Sequence, residues 1–484
     1  MRIRPLLLLA VLLSLATNAL AATVFTNLYE FSPLHEDDAT GATTNFDGAD
    51  AEGGVILSGN TLYGAALQGG TNGTGAIFKI NTDGTAFSVL HAFNDAGTPV
   101  ANLILSGNYL YGTTENGGTN NDGSVFKIGV DGSNFETLYS FSAVNDLAGT
   151  NADGANPEAG LVLAGSSLFG TATGGGTNGN GTIFRINTDG TGFTNLYTFS
   201  ALVANPGGTR TNGDGAFPAA ALTLQDGILY GTAEFGGAGG SGTVFAMATN
   251  GTAFTNLYSF STQTDLENSD GAYPVTGVAC AGGELFGTTL NGGTNGNGTL
   301  FALDLNDGSF TNLHIFSSAT DSMNLDGAQP ATTLALSGGT LYGTTEFGGS
   351  GSVGTIFSVS TNGANFAALY NFTPIALDPS LGAFTNNDGA SPQGALVLSG
   401  NSIYGAALNG GTGGSGGLYV LSLGPIPLNL QTINHAMVLT WGNPAFSLLS
   451  ATNANGTYAV VPGADSPYTN NFPLPKQFFS LQGP

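Results

Sequence analysis

The stretch that decides the fold of this chain is Phe193-Thr194-Asn195-Leu196-Tyr197-Thr198-Phe199, with Asn212-Gly213-Asp214-Gly215-Ala216-Phe217-Pro218 and Ile228-Leu229-Tyr230-Gly231-Thr232 after it. Nearly the same residues recur along most of the sequence. The Leu-Tyr/Phe-Gly element has copies that begin at Leu62, Leu110, Leu168, Leu229, Leu285, Leu341 and Ile403. A period of roughly 50 to 60 residues that holds several short apolar runs indicates a propeller or another repeat array.

Each repeat contains four short apolar runs separated by turn residues. In one copy they are Leu161-Val162-Leu163, Leu168-Phe169-Gly170-Thr171, Gly181-Thr182-Ile183-Phe184-Arg185-Ile186 and the run from Phe193 to Phe199. These runs are short, rich in aromatic and β-branched residues, and bounded by Gly and Asn, so they predict strands rather than helices. Asx-Gly pairs such as Asp83-Gly84 and Asn250-Gly251 separate the third run from the fourth and favour hairpin turns.

The two ends of the repeat region are complementary. The chain begins with a lone fourth run at Phe25, and the repeats stop after a lone third run that starts at Gly416. An open array would leave two incomplete sheets with unpaired edges, whereas a closed ring lets the first strand complete the last sheet. We therefore predict an all-β fold: a seven-bladed β-propeller closed by its N-terminal strand. A β-solenoid is the alternative fold.

Three segments are predicted. Residues 1–21 read as a signal peptide, because Arg2 and Arg4 precede an apolar run that ends in small residues. Residues 22–423 form the propeller, and residues 424–484 form a small β-sandwich-like module after a Pro-containing linker, with Trp441 as a core aromatic. We expect a bacterial protein that is secreted or displayed on the cell surface, with no membrane span after cleavage. The formal net charge of −25 disfavours nucleic acid as a partner.

The combination of repeated elements resembles a known family. Leu341-Tyr342-Gly343-Thr344-Thr345, the Gly-Gly pair after it, and Asp326-Gly327-Ala328-Gln329-Pro330 are similar to the bacterial GloVer tandem-repeat family. The resemblance covers roughly residues 24–423. It implies an exported repeat protein without an assigned biochemical role, and it brings no catalytic residues to carry over.

Six of the seven blade-crossing loops repeat the pattern Asn-x-Asp-Gly-Ala, and the loop of the second blade departs from it. The candidate site residues are Asn45, Asp47, Asn151, Asp153, Asn212, Asp214, Asn268, Asp270, Asn324, Asp326, Asn386 and Asp388. Asx side chains cap their own backbone and shape turns, which is the structural interpretation. The functional interpretation is a ligand-binding or cation-binding loop, because oxygen ligands at alternate positions before a Gly suit Ca²⁺. The match is partial, so no cofactor is predicted except Ca²⁺ at these loops.

Few residues are available for catalysis. His91 and His314 occupy the position of Tyr197 in the fourth run and are predicted to be packed rings, and no metalloprotease or serine-hydrolase motif occurs. We therefore expect no enzyme but an extracellular binding or surface-structural module, whose partner is an unidentified protein or carbohydrate. The alternative is an enzyme that acts on polysaccharide through acidic residues near the propeller channel. An enzyme should gather non-repeated acids at the channel mouth, whereas a scaffold should show equivalent residues blade after blade.

Overall fold

The computed structural model describes residues 23–424, apart from 37–41, 95–96, 146 and 319–323, together with the six strands given below for residues 429–482 and residue 461. The predicted signal peptide at 1–21 and Trp441 lie outside the described residues. Contacts divide the chain into two units, one formed by residues 25–422 and one that includes residues 423–483. In the described part of the chain we find no apolar helix of membrane-spanning length.

The unit of residues 25–422 is a seven-bladed propeller, as predicted. Each blade is an antiparallel sheet in which consecutive strands pair. The strands of blade 1 are Val55–Ser58, Thr61–Ala66, Ala76–Asn81 and Ser88–Ala92. Those of blade 2 are Ile104–Ser106, Tyr109–Thr114, Ser124–Gly129 and Glu136–Ser140. Those of blade 3 are Val162–Ala164, Ser167–Ala172, Thr182–Asn187 and Thr194–Thr198.

The later blades repeat this order. The strands of blade 4 are Thr223–Gln225, Ile228–Ala233, Thr243–Ala248 and Thr255–Ser259. Those of blade 5 are Ala279–Ala281, Glu284–Thr289, Thr299–Asp304 and Phe310–Ile315. Those of blade 6 are Ala335–Ser337, Thr340–Gly349, Thr355–Ser360 and Ala367–Asn371, with Asn324–Pro330 as an additional strand against Thr340–Gly349. Those of blade 7 are Val397–Ser399, Ser402–Ala407, Gly417–Ser422 and the N-terminal strand Val24–Glu30.

The N-terminal strand closes the ring. It lies beside the third strand of blade 7, and the Phe31 amide donates to the Gly416 carbonyl at 3.2 Å. Apolar side chains from blade 7, blade 1 and the N-terminal segment share one core cluster that contains Leu418, Leu62 and Phe31. Similar clusters lie between the later blades, because the residues on both faces of each sheet are apolar. The prediction of a closed ring is confirmed.

Three of the blade-crossing loops carry small hairpins that the sequence patterns do not predict. They are His35–Glu36 with Thr43–Thr44, Val203–Ala204 with Arg210–Thr211, and Ala376–Asp378 with Ala383–Thr385. The C-terminal unit is β-rich, as expected. It has one sheet of Asn429–Ile433, Ala436–Thr440 and Tyr468–Asn470, and a second of Ala459–Val460, Ser447–Ala451 and Phe478–Gln482.

Candidate functional site

The repeated asparagines fasten the crossing loops to the neighbouring Gly-rich loops. The Asn45 amide group donates to the carbonyls of Ser32 (2.9 Å) and Gly48 (2.7 Å). Its Oδ1 accepts from the amides of Gly48 (2.8 Å) and Gly70 (2.9 Å). The glycine at position 48 is required, because its φ is +100° and an added Cβ would lie 2.6 Å from the Ala66 Cβ.

The same four bonds recur at other copies. Asn151, Asn212, Asn268 and Asn386 each donate to two backbone carbonyls and accept from two glycine amides. Asn324 makes both donor bonds and accepts from the Gly349 amide at 3.3 Å. This pattern is what the turn-shaping interpretation of the loops predicts.

The repeated aspartates are buried acceptors for the preceding blade. One carboxylate oxygen of Asp214 accepts from the Tyr197 hydroxyl (2.7 Å) and from the amide and hydroxyl of Ser200 (both 2.9 Å). Asp47 accepts from the corresponding Tyr and Ser in the same way. Asp153, Asp270 and Asp388 accept from the Tyr hydroxyl and from the Ser or Thr amide on one oxygen, and from the Ser or Thr hydroxyl on the other. At Asp326 the tyrosine is replaced by His314, whose Nε2 lies 3.0 Å from the carboxylate. Burial, strengthened by the Asp47 carboxylate, raises the pKa of the Tyr29 hydroxyl, so it stays a hydrogen-bond donor.

The predicted site residues therefore lie on one face of the propeller, in six separate loops, and most of their polar atoms are engaged in these bonds. The exceptions among the aspartates are Oδ1 of Asp47 and Oδ1 of Asp214, which are buried without a hydrogen-bond partner. Among the described residues, no group of three or more His, Cys, Asp or Glu is placed to hold a metal ion. Calcium at the loops remains a prediction that only a binding or stability measurement can test.

The two histidines are packed rings, as predicted. His314 stacks on Phe366 of the next blade with ring centroids 3.7 Å apart, and His91 stacks on Phe135 at 3.8 Å. Tyrosines make the same contact elsewhere, so seven stacks complete a circle around the ring. The contact between Tyr370 and Phe25 (4.2 Å) and that between Tyr29 and Phe87 (3.8 Å) pass through the N-terminal strand.

The candidate site is the mouth of the central channel, on the same face as the crossing loops. A cavity of about 400 Å³ lies there. Five glutamates from five blades line it: Glu52, Glu115, Glu158, Glu234 and Glu346. The apolar part of its wall includes Val275 and Leu290, both from blade 5. A narrower space of about 130 Å³ continues from it and is lined mainly by small residues such as Ala220 and Gly277. The larger volume is that of an ordinary small-molecule site, and none of the described residues that line it is basic.

Four carboxyl groups at the mouth have raised pKa values. Burial, together with repulsion from Glu115 and other acids, raises the pKa of Glu52 and that of Glu158 from 4.5 to about 7. Burial also raises the pKa of Glu234 and of Glu346. Near neutral pH the mouth therefore contains both ionised carboxylates, which accept hydrogen bonds, and protonated carboxyls, which also donate them.

The mouth glutamates occupy two positions of the repeat. Glu158 directly follows Pro157 of the crossing loop, and Gln393 and Ala219 stand at that position in other blades. Glu115 follows the second strand, where blade 5 has Leu290. The acids are thus not repeated blade after blade. Sequence reasoning missed them, and alignment of the seven copies at these two positions is the signal that could have found them.

The chain is similar to solved structures at low identity, including the following three. TolB from Acinetobacter baumannii is 14% identical, with 67% of this chain and 64% of that one covered and a TM-score of 0.37. An oligogalacturonate lyase from Vibrio parahaemolyticus is 9% identical, with 84% and 97% covered and a TM-score of 0.44. A chain of a nidogen/laminin complex is 16% identical, with 55% and 76% covered and a TM-score of 0.34. No curated protein matches the chain.

The repeats themselves match one family across most of the chain. The sequence profile of the Gloeobacter/Verrucomicrobia repeat fits residues 26–213, 149–325, 208–381 and 267–465. These overlapping matches contain all seven blades described above. The chain therefore belongs to the Gloeobacter/Verrucomicrobia repeat family, as its repeated elements predict.

Proposed function

We propose that this chain is an exported, non-catalytic propeller that binds an extracellular ligand at the acidic mouth of its channel. The observation that carries the proposal is the cavity of about 400 Å³ into which five blades send a glutamate. The repeated Asx residues hold the loops together. The glutamates at the mouth line an open cavity instead, so they are the acidic groups of this face that can contact a ligand. Export is supported by the N-terminal sequence, in which Arg2 and Arg4 precede an apolar run.

The mouth restricts the ligand by charge. Five carboxyl groups without a basic side chain among them repel phosphates, sulfates and uronic acids, and the net charge of −25 adds to that repulsion. A ligand with hydroxyl or cationic groups meets acceptors on several sides. The fitting classes are a carbohydrate without acidic groups and a protein partner that inserts a basic side chain.

The test is a capture screen on the mature protein, with a glycan array and with extracellular proteins of the producing bacterium. The double variant Glu234→Gln, Glu346→Gln keeps the size of the lining but removes two carboxyl groups from the mouth. Glu267→Gln is the matched control, since Glu267 is exposed in a crossing loop. We expect a retained ligand whose binding weakens at least tenfold in the mouth variant and is unchanged in the control. A ligand that binds both variants as well as the parent protein would contradict the proposal.

A second function is that of an enzyme, and it is favoured because the acids at the mouth are not repeated blade after blade. Glu52 and Glu158, with pKa values raised to about 7, can hold a proton at neutral pH beside ionised neighbours, which is the arrangement of a general acid and its partner carboxylate. A polysaccharide-acting enzyme would use them in that way. Release of reducing ends or unsaturated products from a polysaccharide panel, abolished by Glu158→Gln, would replace the binding proposal with this one.

A further inference from the structure

A row of aromatic side chains borders one side of the channel mouth. The Phe235 ring lies 5.7 Å from that of Phe217, at an interplanar angle of 86°, and 5.1 Å from that of Tyr273, at 53°. All three side chains are only partly buried. We call these three residues the aromatic arc. They come from the loops of blades 4 and 5, and in blade 6 the position of Phe235 is taken by the exposed Phe347.

The arc belongs to the mouth because backbone hydrogen bonds fix it to residues of the lining. The Glu234 amide donates to the Phe217 carbonyl at 3.1 Å, and the Leu290 amide donates to the Tyr273 carbonyl at 3.0 Å. Blade 5 supplies Val275 and Leu290 to the lining but no acid. The arc thus adjoins the part of the wall that blade 5 supplies, and glutamates of blades 4 and 6 lie on either side of that part.

Packing does not require aromatic residues at these positions. Phe217 and Tyr273 occupy one position of the repeat, whose carbonyl accepts a backbone hydrogen bond in other blades too. The residue at that position is Asp50 in blade 1, Thr98 in blade 2, Asn156 in blade 3 and Ser391 in blade 7. The residue at the position of Phe235 is polar or glycine in those blades: Gln68, Asn116, Asn409 and Gly174. The blades form with either kind of residue, so the aromatic side chains of blades 4 and 5 have another use.

The backbone of the arc is strained. Phe217 and Tyr273 both have φ of +58°, in the left-handed region that bulky residues seldom occupy. The loop itself sets this conformation, because Asp50, Asn156, Gln329 and Ser391 hold the same position in other blades with φ between +51° and +58°. Asn and Asp tolerate it better than bulky residues do, so an aromatic side chain here adds strain that the loop does not need. The choice of aromatic residues is therefore an argument for function that is independent of the charges in the mouth.

We infer that the aromatic arc and the channel mouth together bind a neutral oligosaccharide, with a sugar ring against the arc and its hydroxyl groups on Glu234 and Glu346. This rests on the proposed function and names the ligand class for it. The C–H face of a pyranose ring is apolar and packs on aromatic rings, while the hydroxyl groups at its edge need polar partners. The carboxyl groups of the mouth are such partners. Acidic sugars are repelled by the same groups.

The test uses isothermal titration of the mature protein with cellohexaose, xylohexaose and maltohexaose, and with a mannuronate hexamer as the acidic probe. We expect at least one neutral probe to bind and the acidic probe not to bind. Tyr273→Asn and Phe217→Asn should each raise the Kd for the neutral probe at least tenfold while the melting temperature stays or rises, because Asn suits the positive φ. Phe384→Asn, which removes an exposed aromatic side chain from a distant hairpin, should change neither the binding nor the stability.

Three results would overturn the inference. If the arc variants bind like the parent while Glu234→Gln weakens binding, the arc has no part in recognition and only the proposed function stands. If no neutral probe binds but a trimethyllysine peptide does, the arc recognises a cation and not a sugar. If no neutral probe binds and the capture screen retains a protein ligand at the mouth, the ligand class is wrong and the mouth as a site is right.

Discussion

The raised pKa values at the mouth make a prediction about stability that needs no ligand. The pKa of Glu158 is raised from 4.5 to about 7 in the folded protein. A carboxyl group with a higher pKa in the folded state than in the unfolded state favours folding while it is protonated and opposes folding once it ionises. The contribution of Glu158 to the stability of the folded protein is therefore fully present below pH 4.5 and is lost as the pH rises through 7.

Glu158→Gln removes this charge at constant size. The change in pKa from 4.5 to about 7 corresponds to a free energy of about 3 kcal/mol. Because Glu158 titrates together with the neighbouring acids, this free energy is an order-of-magnitude figure. We expect the variant to be about 3 kcal/mol more stable than the parent at pH 8 and within about 0.5 kcal/mol of it at pH 4.5.

The assay is urea unfolding followed by circular dichroism at pH 4.5 and at pH 8, in about 0.1 M salt so that repulsion between distant charges is screened. The control is Glu267→Gln, which changes an exposed glutamate away from the mouth. Equal effects of Glu158→Gln at the two pH values, or a loss of stability at pH 8, would refute the reasoning that Glu158 is held at a high pKa by burial and by neighbouring acids.

Four further predictions concern the frame of the propeller. Tyr419→Phe should stabilise the protein by about 1 kcal/mol, because the Tyr419 hydroxyl is buried without a hydrogen-bond partner; a lower urea midpoint would refute this. Asp270→Ala should lower the stability by about 2 to 4 kcal/mol, since it strands the Tyr258 hydroxyl and the Ser261 amide, whereas Glu267→Ala, at an exposed residue, should cost less than about 0.5 kcal/mol. The melting temperature should be the same in EDTA and in buffer if hydrogen bonds hold the Asx loops, and a drop that Ca²⁺ reverses would establish the calcium site. Deletion of residues 22–31 should prevent a monomeric fold, because it removes a strand of blade 7 and two ring stacks; a monomer with unchanged circular dichroism would contradict ring closure.

The sequence predicts the frame of this molecule because the frame is repeated. Seven copies of each apolar run and the out-of-phase ends suffice to predict seven blades and their closure by the first strand. The strand bounds differ by one or two residues: the fourth run of blade 3, predicted at residues 193–199, forms the strand Thr194–Thr198. The register also shifts there, because Leu196 is an extra residue in a β-bulge between Tyr197 and Asn195.

The site is harder to predict because it depends on what is not repeated. Glu158 and Glu115 occupy different positions of the repeat, and both are far from Glu346 along the chain. They line one cavity because the ring of blades closes. The Asx loops are the most regular polar pattern in the sequence, yet the structure engages most of their polar atoms in backbone and tyrosine contacts. The additional strand Asn324–Pro330 is likewise a feature of one blade and cannot be predicted from the repeat. It extends the loop contact that other blades make as a single bridge, such as that between Ala49 and Gln68.

The most direct test of the proposed site is a pH titration of the glutamate carboxyl groups by ¹³C NMR, with signals assigned through single Glu→Gln variants. We expect Glu52 and Glu158 to titrate near pH 7, and Glu115→Gln to lower both pKa values because it removes a neighbouring charge. If Glu52 and Glu158 instead titrate near 4.5 and do not respond to Glu115→Gln, these carboxyl groups do not meet at one mouth and the proposed site is wrong.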